Sequence, residues 1–262
     1  MPKICCNQNT KALRTFNNLS LCNKFLKTRE QKEIKFKLKL SHCRNCGLLQ
    51  LEKAVQANKI AQQHAWMRYF EPEEHLDDLT QQIKKICKFS NKKTIAGITY
   101  KDDTLLKRFR KKLNSKSWRI KPKIDLKIKY DSAASETVLP KINSTNVKKL
   151  IRKYGQADLL VGRHILEHAP NTFMFLNQLK KLTKPNGYIL FEVPDCTKQI
   201  QNNDYTMLWE EHNLYFTPET LENYFASNFP NFELVKLFKY KYPIENALLV
   251  LLKRKKVKNI KK

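Results

Sequence analysis

Three groups of residues in this sequence carry side chains able to do chemistry. The first is Arg163-His164-Ile165-Leu166-Glu167-His168, a polar cluster that follows directly on the apolar run Ala157-Asp158-Leu159-Leu160-Val161-Gly162. The second is Trp209-Glu210-Glu211-His212-Asn213-Leu214-Tyr215-Phe216-Thr217, in which His212 is the side chain most easily poised to take a proton near neutral pH. The third is Cys43-Arg44-Asn45-Cys46-Gly47, a C-x-x-C spacing that lets two thiolates and the amides of a turn wrap one tetrahedral zinc ion. Such a site needs four ligands. The adjacent pair Cys5 and Cys6 are the candidates to complete it, with His42 beside the knuckle as a substitute. A metal there would be structural, with closed coordination and no catalytic water. Against these readings stands a plainer one, in which a lone histidine is a satisfied core or surface residue and Glu167 and His168 form a cap or salt bridge.

The elements that must position these groups follow from hydrophobic periodicity. The run Ala157 to Gly162 reads as a buried parallel strand. Asn171 to Leu182 carries Phe173, Leu176, Leu179 and Leu182 at helical spacing, Pro185-Asn186-Gly187 makes a turn, and Tyr188 to Pro194 is a second buried strand. A strand, helix, strand unit of this kind builds a doubly wound sheet, and open α/β sheets bind ligands at the carboxyl ends of their strands. That edge is where Arg163 and His164 fall. Upstream, Lys93 to Ile98 begins the sheet, Asp103 to Leu113 is a helix, Ser117 to Ile120 a second strand, and Val147 to Tyr154 a short helix closed by Gly155. Downstream, Thr217 caps a helix with Pro218 at its first position, and Phe232 to Tyr240 and Ala247 to Leu252 are the last strands. Ala54 to Phe89 is helical in pattern, with a break and restart at Glu71-Pro72-Glu73-Glu74.

The wording of these segments goes further than periodicity. DLLVGRHILEHAPNTFMFLNQLKKLTKPNGYILFEVPD resembles the later half of class I S-adenosylmethionine-dependent methyltransferases, and EEHNLYFT is similar to a segment of the deoxysugar C-methyltransferase group. CRNCGLLQL, residues 43 to 51, resembles the end of the zinc-binding module that precedes the catalytic domain in that group. The resemblance implies a Rossmann-like α/β sheet with an antiparallel edge strand, behind a small cysteine-bearing module. It divides the chain into a zinc-binding module at 1–52, a helical connector at 53–90 and a methyltransferase domain at 91–262. It also implies S-adenosylmethionine as cofactor, with structural zinc on Cys5, Cys6, Cys43 and Cys46, and a sugar linked to a nucleotide or lipid as the substrate methylated on carbon. Carried over residue by residue, His212 is the general base, Glu211 orients it, and Tyr215 polarises the substrate oxygen. The aromatic stretch with Tyr69 helps to cover the substrate.

Cofactor contacts are expected from Gly97, Thr99, Tyr100, Asp102, Asp103, Asp125, Arg163 and His164. DDTLLKRF stands where the relatives have DGTLLKRF, so Asp103 replaces a glycine of the loop. Asp102 or Asp103 is then placed to hold the cofactor's ammonium group or simply to cap the helix. The acid expected after the second strand to bind ribose hydroxyls is replaced by Lys121, with Asp125 four residues on as its substitute.

Bulk properties bound these readings. The 262 residues are 41% hydrophobic with a net charge of +27, enough apolar content for a sizeable core. No apolar run approaches the roughly 20 residues that span a bilayer, and the first ten residues do not read as a signal peptide. A cytoplasmic protein is expected, with its cysteines reduced or on metal. The charge raises nucleic acid as a partner, but Lys outnumbers Arg about four to one along the whole chain, whereas recognition surfaces favour Arg. The charge is therefore read as solvated faces. Two alternatives to the enzyme remain: a methyltransferase-fold protein that has lost cofactor affinity and acts as a binding partner, and a basic nucleic-acid-binding protein.

Overall fold

The computed structural model describes residue 5 and residues 9–89 and 93–256. In chain order its strands are β1 (Thr10–Ser20), β2 (Lys35–Cys43), β3 (Leu49–Leu51), β4 (Thr94–Gly97), β5 (Lys116–Arg119), β6 (Ala157–Arg163), β7 (Thr183–Asp195), β8 (Leu214–Tyr215), β9 (Phe232–Tyr240) and β10 (Asn246–Arg254). The larger sheet has the order β5-β4-β6-β7-β10-β9. Its first four strands are parallel, and β10 lies antiparallel between β7 and β9. This is the doubly wound arrangement with an antiparallel edge that the sequence implies, and the strand order reverses between β4 and β6. At that switch point a crevice opens outside the carboxyl ends of the strands.

Strand β6 is buried on both faces. Ala157, Leu159, Leu160 and Val161 are fully enclosed, with Leu160 packing into one core and Leu159 and Val161 into the other. Helices cover the two faces: α1 (Leu76–Ile86), α2 (Asp103–Leu113), α3 (Ser144–Tyr154), α4 (Thr172–Leu182) and α5 (Pro218–Asn228). Their ends are set locally. Asn143, Asn171 and Thr217 each accept a bond from an amide of the first turn, and α3 stops at Gly155, whose φ of 75° suits glycine. No helix among the described residues is long and apolar enough to cross a membrane.

Three features differ from the sequence reading. Residues 183–187 are not a turn before the strand, because β7 runs through them, with Asn186 in the left-handed region and a register shift opposite Ala157 to Leu159. The stretch from Ala54 to Phe89 is helical only at Ala57–Ile60 and in α1. Between them the chain runs as a strap over the carboxyl edge of the large sheet. Its backbone groups bond loop side chains in place of an i−4 carbonyl: Gln62 N–H to Thr137 Oγ1 at 3.1 Å, the Gln63 carbonyl to Tyr130 at 3.0 Å, and Tyr69 N–H to Tyr100 at 3.1 Å. Finally, the small antiparallel sheet, β1-β2-β3-β8, is not confined to residues 1–52. It takes β8 from far along the chain, pairing Leu49 with Tyr215 and Gln50 with Leu214.

The bulge in β7 gives a test of this packing. A Cβ built on Gly187 would lie 2.9 Å from the Lys184 carbonyl oxygen and 3.0 Å from that of Asp158, and backbone cannot step aside. Gly187→Ala is expected to lower stability by about 1–3 kcal/mol, read as a lower urea midpoint with an unchanged slope.

Candidate active site at the carboxyl edge of the sheet

One buried carboxylate ties the switch-point loops together. Asp102 Oδ2 accepts the amides of Ile98 at 2.7 Å and Thr99 at 2.9 Å, and Oδ1 accepts that of Arg163 at 2.8 Å. Burial pushes Asp102 up to about 6, and the three amides pull against it. Gly97 sits directly under this carboxylate, since a Cβ there would be 2.9 Å from Asp102 Cβ. The Arg163 side chain is equally committed. It grips Glu192 through Nε at 2.5 Å and Nη2 at 3.2 Å, and donates to the carbonyls of Lys101 at 2.9 Å and Pro72 at 3.0 Å. A buried guanidinium must use its donors, so Arg163 faces inward as a knot and not outward to a ligand.

Above this knot lie two adjoining cavities of about 260 and 300 Å³, which share Glu71, His164, Pro194 and Glu245 in their walls. His164 adopts a left-handed backbone, φ 48°. Its ring lies 3.3 Å from Glu192, 3.4 Å from Glu167 and 3.8 Å from Glu71. Burial alone would discharge this ring, but Glu71, Glu167 and Glu192 hold it charged, up to about 10. In the same wall Lys101 pairs with Glu71 at 2.5 Å, and burial, outweighed by His164 and Lys101, leaves Glu71 down at about 2.

His212 lines the smaller cavity. Its ring meets that of His168 edge to face, with centroids 4.5 Å apart. Removal of the ring from water, then the charge on His168, push His212 down to about 3, so it is neutral with a free lone pair. His168 itself is buried, yet Glu136 at its Nδ1 and Glu167 beyond raise it. The backbone around His212 is fixed from two sides: Asn213 N–H donates to the Glu167 carbonyl at 2.7 Å, and Leu51 N–H to the Asn213 carbonyl at 3.0 Å.

The sequence-derived site residues divide accordingly. His212, Glu211 and His164 come together on the cleft. Gly97, Thr99, Asp102 and Arg163 build its floor, and Tyr100 holds the strap through Tyr69. Asp103 does not reach the cleft, because it lies half-exposed on Arg119 at 2.7 Å. Asp125 is likewise taken, by the Lys121 amide at 2.8 Å, Lys153 at 2.7 Å and Tyr154 at 3.1 Å. Glu211 does not orient His212: it turns to Asn23 Nδ2 at 2.8 Å, and burial and then the Glu136 charge raise it to about 7. The neighbour that meets the His212 ring is His168. Tyr215 does not face the cleft, since its buried hydroxyl donates to the carbonyls of His212 at 3.0 Å and Trp209 at 3.3 Å and so braces the turn that carries His212. Lys101, Glu71 and Glu136 were not singled out from the sequence. For Glu167 and His168 the signal was present, two polar residues on the element that follows β6.

The thiols of Cys5, Cys43 and Cys46 are buried and lie within 4.8 Å of one another. The knuckle turn is closed by Gly47 N–H on the Cys43 carbonyl at 2.9 Å, with Gly47 at φ 76°. Cys6 lies outside the described residues. Three soft donors in one pocket fit zinc.

A family model described as "Methyltransferase domain" matches residues 65–237, and one described as "Putative zinc binding domain" matches residues 3–60. C-methyltransferase NovU of Streptomyces niveus is 30% identical over 81 residues, which is 31% of this chain. The match spans 19% of that relative, about a fifth of its length. Among solved structures, N-methyltransferase NodS of Bradyrhizobium japonicum is 8% identical, covering 71% of this chain and 100% of its own, with a TM-score of 0.41. An S-adenosylmethionine-dependent methyltransferase of Anabaena variabilis is 13% identical, covering 69% of this chain and 85% of its own, with a TM-score of 0.39.

The charged state of His164 gives a pH test. Its pKa is raised in the folded chain, so its contribution is complete below the unfolded value of about 6.5 and is lost as pH rises toward about 10. His164→Gln is expected to cost about 3–5 kcal/mol at pH 6, and denaturation curves should show the gap to wild type closing as pH approaches 10.

Proposed function

This chain belongs to the methyltransferase-domain family, the S-adenosylmethionine-dependent enzymes, and from that premise we propose that it methylates a carbon beside a carbonyl in a small molecule. A sugar linked to a nucleotide or lipid is the substrate class. The observation that carries this reading is the neutral His212 ring on the cleft wall, held between Glu167 and β3 by backbone bonds. A neutral imidazole on the cleft wall has a lone pair open to a proton, which the charged His164 and His168 beside it lack; a value of about 3 makes it a weak base in this cleft.

The donor set of the cleft bears on the cofactor. Glu71 and Glu245 stand in the shared wall of the two cavities, and burial raises Glu245 to about 7, with the His164 charge pulling against it. These acids suit the sulfonium and ammonium end of S-adenosylmethionine, and the two cavities together are of small-ligand size. The residues fit, with Glu245 as the group that would hold it and Glu71 beside it already paired with Lys101. When bound, S-adenosylmethionine supplies a methyl group already activated by its sulfonium.

The chain's own residues do the rest. His212 takes the proton from the acceptor carbon. His168, charged and paired with Glu136, keeps that side of the cleft fixed. Tyr69, Phe70 and Trp209 form the outer wall and exclude water from the reacting centre. Tyr215 acts only through the turn it braces. The loop between β1 and β2 contributes Asn23 to Glu211 and the Cys22 amide to Glu210 at 2.7 Å, so the amino-terminal module, with zinc proposed on Cys5, Cys43 and Cys46, supports the cleft directly.

Three outcomes are expected. His212→Asn lowers kcat by about 10²–10⁴ with a nucleotide-linked ketosugar, while calorimetry shows S-adenosylmethionine affinity within a few-fold of wild type; full activity in this variant would overturn the reading. Tyr215→Phe changes kcat far less than His212→Asn. The purified chain carries zinc that Cys46→Ser loses, read by elemental analysis.

A further inference from the structure

The cleft wall holds a donor set that proton transfer at His212 does not account for. One carboxylate oxygen of Glu167 and one ring nitrogen each of His168 and His212 lie within 4.8 Å of one another. Ligands about 2.0–2.2 Å from a common ion are at most about 4.4 Å apart, so the set closes round a cation with little movement. Glu167 is 1% exposed, and among the described residues neither of its carboxylate oxygens accepts a hydrogen bond of good geometry; the nearest ring nitrogens are His164 Nδ1 at 3.4 Å and His168 Nε2 at 3.8 Å. These two imidazolium contacts are longer than a hydrogen bond, and a cation held directly by the carboxylate would offset more of its desolvation cost.

The support behind these ligands is also in place. Glu136 pairs with Nδ1 of His168, which leaves Nε2 facing Glu167 at 3.8 Å. A carboxylate on the far nitrogen of a ligating histidine fixes its tautomer and orientation in transition-metal sites. All three donors line the same cavity, so an ion has a way in and open positions remain for other ligands. Two imidazoles and one carboxylate select zinc, cobalt, nickel or iron(II) over magnesium or calcium.

We propose that Glu167, His168 and His212 bind a divalent transition-metal ion, separate from the cysteine cluster, with the Nε2 proton of His168 released to solvent on binding, and that filling this site takes the His212 lone pair out of proton transfer and arrests methylation. The arrest rests on the reading of His212 as the base; the binding does not.

Titration of the full chain with Co2+, its thiolates first saturated with zinc, tests both halves. Wild type is expected to develop a saturable cobalt absorption free of thiolate charge-transfer bands, and methyl transfer should fall in step with it. Glu167→Gln should weaken cobalt binding at least tenfold and Glu136→Gln by about 10–100-fold, whereas Glu219→Gln, at an exposed position, should match wild type. If wild type shows no such absorption up to millimolar Co2+, or binds it only with thiolate bands, the site is overturned whatever the variants do. If cobalt binds as described while activity is unaffected, the arrest is overturned and the site stands. If His212→Asn leaves methylation intact, it is the base reading that fails.

Discussion

The carboxylate of Asp102 is the constraint on which the cleft depends. It lies in the interior of the switch point and satisfies three amides at once, two from the loop after β4 and one from the end of β6. Without it those amides would be buried without partners, each at a cost of about 1–3 kcal/mol. Arg163 extends the same knot sideways to Glu192 on β7 and upward to the strap at Pro72. The edge of the sheet is thus closed by an ionic network, and the cavities open only above it. The loop that would ordinarily be lined with glycines can carry Asp102 and Asp103 because one of these acids supplies acceptors to the loop and the other lies outside on Arg119.

The second constraint is the coupling between the two sheets. β8 is only two residues long, yet it pairs with β3 and is continuous with the turn that presents His212. The segment that carries His212 is consequently held by the small sheet on one side and by the Glu167 carbonyl on the other. Tyr215, beneath that turn, converts what reads as a catalytic hydroxyl into a brace. The module with the cysteine cluster is therefore part of the scaffold of the cleft, since Asn23 and Cys22 bond the two acids that precede His212.

Much of the larger sheet was legible because its signals are local. Asp103–Leu113 follows from apolar spacing and Ala157–Arg163 from an uninterrupted apolar run, and the caps at Asn171 and Thr217 lie in the sequence itself. The strap from residue 61 to residue 75 was not legible, because its polar groups find their partners 30 to 75 residues away, and no periodicity records such a pairing. The bulge at Asn186 reads as a turn for a related reason: Pro-Asn-Gly favours chain reversal locally, and the pairs that flank it, Thr183 with Ala157 and Tyr188 with Leu159, keep the chain on course along β6. In the site, His212 and His164, both expected from the sequence, lie on the walls of the same cavity. The resemblance misplaced Asp125, Glu211 and Tyr215, whose roles depend on tertiary partners at Lys153, Asn23 and the His212 carbonyl. Glu136 and Lys101 have no sequence signal that separates them from the many other charged residues of this chain.

The account centres on an imidazole that stays neutral inside a crowded ionic cleft. Nitrogen NMR of the labelled chain, assigned with His212→Asn and followed as pH is lowered from 8, tests this directly. The ring of His212 should remain neutral through pH 5 and begin to charge only near the acid limit of the fold, in keeping with a value of about 3. A His212 ring that takes its proton at about 6.5, as a solvated histidine does, would contradict the account.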